Sequence, residues 1–263
     1  MIQEQKPTRI EITDGASIPD PSDKRLLTAW SISFYGALLA LVCLCVFIPD
    51  PYYRILTFLP DGIAITFEVT ICSILLSLPL GLLTGLGKLS RNRIINLLAS
   101  TYVEVVRGLP LLVQLFYIYF ALGRFLKVPD MVAAIIAMSI CYGAYMGEVF
   151  RAGIESIDKG QMEAARSLGF TRMQTMFLVI LPQAWRIILP PVGNEFIAML
   201  KDTSLVSILA VTDVLRRGRE FAAESFLYFE TYTMIAIIYL LITLLLSKGV
   251  SIMEKKLNYY ADH

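Results

Sequence analysis

The sequence predicts an all-α polytopic membrane protein with six transmembrane helices. Apolar residues make up 56% of the 263 and charged ones 17%. Several apolar runs reach the roughly 18 to 20 residues that a helix needs to cross a bilayer. Lysine and arginine divide unevenly between the connections on the two sides, 15 against seven. The richer side is expected to be cytoplasmic, and it holds both termini.

Residues 1–25 mix charges with Gly15, Pro19 and Pro21 and are expected to form a loosely held cytoplasmic tail. They are not expected to be a cleavable leader, because the apolar run that follows is too long and no small-x-small site ends it. The remainder, 26–263, is expected to be one transmembrane domain, with no internal repeat. The first span covers 26–48 and stops at Pro49-Asp50-Pro51. The second covers 63–86. Gly81, Gly85, Gly87 and Lys88 near its end have one residue too many for a phosphate loop, and Leu89 stands where Ser or Thr would hold magnesium. No nucleotide site of the chain's own is evident.

An amphipathic stretch leads into the third span, 110–122, and Gly108 and Pro110 predict a bend at its start. Glu104 and Arg107 are i, i+3 neighbours, expected to pair as a structural ion pair. The fourth span covers 131–149, where Gly143, Ala144 and Gly147 permit close helix approach. The fifth begins near Ile187 and its apolar run ends at Leu200, about 14 residues or ~21 Å, too short to cross alone. Lys201-Asp202-Thr203-Ser204 follow, then another apolar run, 205–211. One discontinuous crossing with polar groups near mid-depth accounts for this pattern. A charged connection, 212–231, carries a helix at about 213–223, and the sixth span, 234–252, is closed by Lys255-Lys256.

The net charge of +1 argues against a nucleic-acid partner. The four cysteines all lie in apolar runs and read as small buried hydrophobes. An enzyme would need a nucleophile or metal constellation. The one histidine is His263, the last residue, and neither HExxH nor GxSxG occurs.

Between the fourth and fifth spans lie two short helices that cannot cross a bilayer. Asp158 with Gln161 and Thr171 with Gln174 have capping-box spacing, and Gly169 suits a left-handed C-terminal cap. Met173, Met176, Phe177, Ile180 and Leu181 share one face of the second helix, which Pro182 is expected to end. Within this stretch Glu163, Ala164 and Ala165 precede Gly169 by three residues; nine more lead to Val179, and Leu181-Pro182 follows. This pattern resembles the EAA loop of bacterial ABC importer permeases, with Val179 in place of the usual Ile. Arg107 through Gln114, Ala144-Tyr145 through Glu148 and Arg151, and Pro190-Pro191 through Asn194-Glu195 resemble the polar amino acid branch (histidine, glutamate, glutamine, arginine), with Leu109 in place of Thr. The likeness runs from about Ile63 to about Met253.

The resemblance implies the type I ABC importer permease fold, with cytoplasmic coupling helices at about 158–182 in a bacterial inner membrane protein. It implies that Glu163, Ala164, Ala165, Gly169, Leu181 and Pro182 couple to the ATPase. The implied partners are a cytoplasmic ABC ATPase dimer, a second permease subunit of the same or a related chain, an extracytoplasmic amino-acid-binding protein and membrane lipid. ATP and magnesium would belong to the ATPases, with no cofactor in this chain.

Gln114, Glu148, Asn194, Glu195, Lys201, Asp202, Thr203 and Ser204 are the candidates for the substrate path or gate. Ionisable groups at membrane depth cost at least ~2.5 kcal/mol each if left in lipid, so they must face protein or water. Two readings stay open for Glu148 and Arg151, an inner gate or a structural pair. Lys201 and Asp202 are expected either to line the path or to pair at the outer interface. A secondary transporter or channel for small polar solutes is the competing class, but a secondary transporter normally carries an internal repeat and its own coupling-ion site.

Overall fold

The computed structural model describes residues 28–259, and every regular element among them is a helix. The tail at 1–25 and His263 lie outside the described residues. The elements are α1 (Ala29–Phe47), α2 (Pro49–Phe58), α3 (Pro60–Lys88), α4 (Arg93–Gly108), α5 (Leu111–Phe125), α6 (Asp130–Glu155), α7 (Lys159–Ser167), α8 (Arg172–Thr175), α9 (Leu181–Asp202), α10 (Val214–Ser225) and α11 (Tyr228–Tyr259). Five stretches are long and apolar enough to cross a membrane, and the pair α4 and α5 makes a sixth, bent by 110°. That bend falls where Gly108 and Pro110 predicted it. The Gln114 side-chain amide secures it by donating to the carbonyls of Val106 and Leu109 at 2.7 and 2.9 Å.

Packing centres on α3 against α6. The two helices run parallel, and small residues bring their backbones together. A Cβ on Gly81 would lie 2.3 Å from that of Met146, and one on Gly147 would lie 2.9 Å from Thr84 Cγ2. The glycines that imitate a phosphate loop therefore serve helix packing. Around this pair Leu115, Met138, Phe150, Ile180, Ile188 and Met199 form the main core. A second cluster, with Tyr52, Ile55, Leu59, Val214, Phe221 and Met234, lies at the end of α3 away from α7.

Three expectations need correction. Pro182 does not end a helix. A π turn, Met176–Ile180, joins α8 to α9, and its slipped ladder bonds Leu181 N–H to the Met176 carbonyl. Pro182 thus falls in the first turn of α9, where its missing N–H costs little. Gln183 Nε2 also donates to the Val179 carbonyl at 2.9 Å. The fifth span is also not interrupted at residues 201–204. It tightens there from α-helix to a 3₁₀ turn, Thr203–Leu209, and breaks later, at Ala210, whose φ is +67°. Finally, Arg107 does not pair with Glu104; it reaches across to Glu148 on α6.

Candidate functional site

Glu148 is the hub of a charged network at the α7 end of the bundle. Its position follows from the α3–α6 packing, which puts the last turn of α3 beside the last third of α6. Lys88 Nζ donates to Glu148 Oε1. Arg151, one turn on, donates Nε and Nη2 to Oε2 at 3.1 and 2.8 Å and also bonds Glu155. Arg107 Nη1, from the end of α4, stands 3.9 Å from the same oxygen, and its guanidinium lies 5.6 Å over the Tyr145 ring. One carboxylate, 19% exposed, therefore holds three cations from three helices.

Beside this hub opens a cavity of about 390 Å³, lined by Arg107, Tyr145, Glu148, Arg151, Ile187, Pro191 and Glu195. Its walls come from α4, α6 and α9. Arg107 is 46% exposed, so part of its guanidinium remains available. Across from it Glu195 has no ion-pair partner within 4.0 Å among the described residues. Pro191, which has no N–H for the helical ladder, stands in the same wall as Ile187. A cation and a carboxylate thus face one space.

The structure does not gather all the predicted path residues. Glu148 and Glu195 line the cavity. Asn194 is exposed on α9 beside it. Gln114, only 6% exposed, is occupied at the α4–α5 bend and accepts the Cys141 thiol proton at 3.2 Å. Lys201, Asp202, Thr203 and Ser204 lie toward the other end of α9. Lys201 is exposed, and Asp202 accepts the Tyr142 hydroxyl at 2.7 Å in place of any pairing with Lys201. Thr203 is buried and donates to the Leu200 carbonyl, and Ser204 is half-buried. Sequence reasoning missed Arg107, Tyr145 and Lys88 as site members. Only the registration of α3 on α6, set by the glycines, brings them together.

The second candidate region is α7 with α8. Asp158 Oδ1 caps α7 through Gly160 N–H, but Gln161 does not complete the box; its side chain meets Gln183 Nε2 at 3.4 Å instead. Thr171 and Gln174 do form a full capping box. Between them Gly169 has φ +89°, and Phe170 N–H returns to the Ala165 carbonyl, closing α7 as expected. Glu163 and Ala164 are exposed while Ala165 is buried. Leu168 is 79% exposed, and Met162, Met173 and Phe177 are also uncovered, an apolar surface beside Arg166 and Arg172. Leu181 and Pro182 open the long helix that leads from this surface to the cavity.

The family model for the binding-protein-dependent transport system inner membrane component matches residues 77–259. The L-cystine transport system permease protein of Bacillus subtilis is 40% identical over 208 residues, covering 77% of this chain and 87% of its own. The glutamine transport system permease protein of Escherichia coli is 37% identical over 201 residues, covering 75% and 92%. A chain in the crystal structure of an amino acid ABC transporter with histidines superposes with a TM-score of 0.73 at 41% identity, covering 78% of this chain and 96% of that one. With its cavity between α4, α6 and α9 and its exposed helical surface at α7 and α8, this chain belongs to the family of binding-protein-dependent transport system inner membrane components.

Proposed function

We propose that the chain is the membrane subunit of an ATP-driven importer for polar amino acids and forms half of the translocation path. A cavity bearing Arg107 and Glu195 supports this most directly, since an amino acid presents a carboxylate and an ammonium together. Arg107 would take the carboxylate, while Glu195 would take the ammonium. Gln114 and the segment 201–204 would act from outside the cavity, by holding the α4–α5 bend and the far end of α9. The partners would be a cytoplasmic ABC ATPase dimer, which binds ATP and magnesium, a second permease of the same or a related chain, and an extracytoplasmic binding protein. The chain would sit in a bacterial inner membrane with both termini cytoplasmic.

Coupling would run through α8, the π turn and α9, which are one continuous rod from Arg172 to Asp202. The apolar surface around Leu168 and Met173 would dock on the ATPase, with Gly169 fixing the angle between α7 and α8. When the ATPases close, movement at α7 and α8 would tilt α9 and with it the wall that carries Glu195. Alternating access follows if that tilt opens the cavity to one side and closes it to the other. The test is to reconstitute the permease with its ATPase and binding protein in proteoliposomes and to measure ATP hydrolysis with each amino acid in turn. Stimulation by a set of polar amino acids is expected; no stimulation by any of them, or failure of an ATPase to copurify, would overturn the proposal.

A further inference from the structure

α4 uses only one of its faces inside the bundle. On that face Val103 and Val106 pack with Cys141 and Ala144 of α6, and Tyr102 donates its hydroxyl to the Ile140 carbonyl. α3 comes as close, since a Cβ on Gly87 would lie 2.9 Å from that of Ala99. The opposite face carries Ile94, Leu97 and Leu98, which are 69%, 62% and 67% exposed, and ends at the exposed Val105. These positions recur at i, i+3, i+4 and i+11, so they form one apolar stripe.

Lys88 fixes where along the bundle the stripe lies. Its carbonyl accepts Asn96 Nδ2 from near the start of α4, and its ammonium donates to Glu148, the carboxylate that Arg107 approaches from the last turn. α4 is thus held to the α7 end of the bundle near both its termini, and the chain turns through 110° before α5. A helix so placed, with one face packed and the other apolar and uncovered, suits the interface of a bilayer.

Two cations stand at its start. Arg91 precedes the helix and Arg93 opens it; both are exposed, and neither forms an ion pair among the described residues. No acidic residue occupies the first turn, which Asn92 Oδ1 caps by accepting the Ile94 and Ile95 N–H at 2.9 and 3.4 Å. Cations at the N-terminal end oppose the helix dipole, so the arrangement is unfavourable until an anion is placed beside it. The one carboxylate on α4, Glu104, lies eleven residues beyond Arg93, about 16 Å along the axis, and Glu148 is already engaged. Two unneutralised cations beside an apolar stripe call for a ligand with an anionic head and hydrocarbon tails.

We propose that the start of α4 binds an anionic phospholipid, whose phosphate is taken by Arg91 and Arg93 and whose acyl chains lie along Ile94, Leu97 and Leu98. The lipid comes from the leaflet at the α7 end. A soluble anion would satisfy the arginines but leave the stripe uncovered. Once bound, the lipid pins the start of the helix whose last turn carries Arg107 to the cavity.

The test uses the full chain, purified in neutral detergent and titrated with phosphatidylglycerol, phosphatidylcholine or inorganic phosphate while bound lipid is counted by native mass spectrometry. Phosphatidylglycerol is expected to be retained in preference to phosphatidylcholine. Arg91→Gln with Arg93→Gln should weaken that retention at least about tenfold, and Arg91→Lys with Arg93→Lys should keep most of it. Ile94→Ser with Leu98→Ser should weaken it with both arginines intact. All these side chains are exposed, so the variants are expected to fold. Equal retention by wild type and the glutamine variant would overturn the proposal, as would an equal loss in Arg54→Gln with Arg124→Gln, which removes the same charge elsewhere. Displacement of the lipid by inorganic phosphate at similar concentration would do so too, since the ligand would then be an anion alone. In nanodiscs, a fluorophore on Leu98→Cys, in a chain without the native cysteines, should be quenched by brominated phosphatidylglycerol. Protection from quenching in the complex as purified from membranes would show that another subunit covers the stripe, which also overturns the proposal. Neither readout involves transport, so the outcome stands apart from the function proposed above.

Discussion

Gly169 is the residue whose backbone the coupling surface depends on. At φ +89° a β-branched side chain is strained by about 1–2 kcal/mol, although nothing within 4 Å would obstruct it. Gly169→Val should therefore leave insertion and folding intact but misdirect α8; uptake by proteoliposomes is expected to fall at least about tenfold, a loss of about 1.4 kcal/mol in coupling. Glu148 and Glu195 separate stability from transport. Glu148→Gln leaves Lys88, Arg107 and Arg151 facing one another, and for a group this little exposed the expected cost is about 1–3 kcal/mol of stability, read as a lower melting temperature. Among the described residues Glu195 makes no ion pair, so Glu195→Gln should change stability by less than about 0.5 kcal/mol while uptake falls. Unaltered uptake by that variant would remove Glu195 from the path.

At the scale of elements, the rod from α8 to α9 makes its own prediction. A π turn keeps helical continuity while shifting the ladder by one residue. Inserting two glycines between Val179 and Ile180 should preserve basal ATP hydrolysis by the complex yet abolish its stimulation by loaded binding protein, measured in the same vesicles. Full stimulation would show that force reaches the cavity by another element. This rod also marks where sequence reading ran out. Capping at Thr171, the left-handed turn at Gly169 and the bend at Pro110 depend on neighbours within a few residues and were legible. Pro182 was misread because its cost vanishes only when the preceding turn has already slipped. The tightening at Thr203 likewise depends on what α9 packs against. The cavity was legible only in part. Glu148 and Glu195 stood out as charges in apolar runs, but Arg107 and Lys88 join them through the α3–α6 contact, which no local pattern encodes.

For the molecule as a whole, the apolar runs sufficed to locate the helices long enough to cross a bilayer, because their length depends on the bilayer more than on tertiary detail. Packing is far from uniform across those crossings. α6 is the most enclosed, whereas α1 has Ala37 as its one buried side chain and rests on α2 and α11 through Leu41, Leu44 and Cys45. Trp30 fastens its start to α11, donating Nε1–H to the Leu244 carbonyl at 2.8 Å under the Lys248 ammonium. A helix so peripheral contributes little to the finished interior, and its importance shifts to biogenesis. Because α1 precedes α3 and α6 in the chain, it can enter the bilayer before those two helices have met, and its early placement bears on the side that each of them takes.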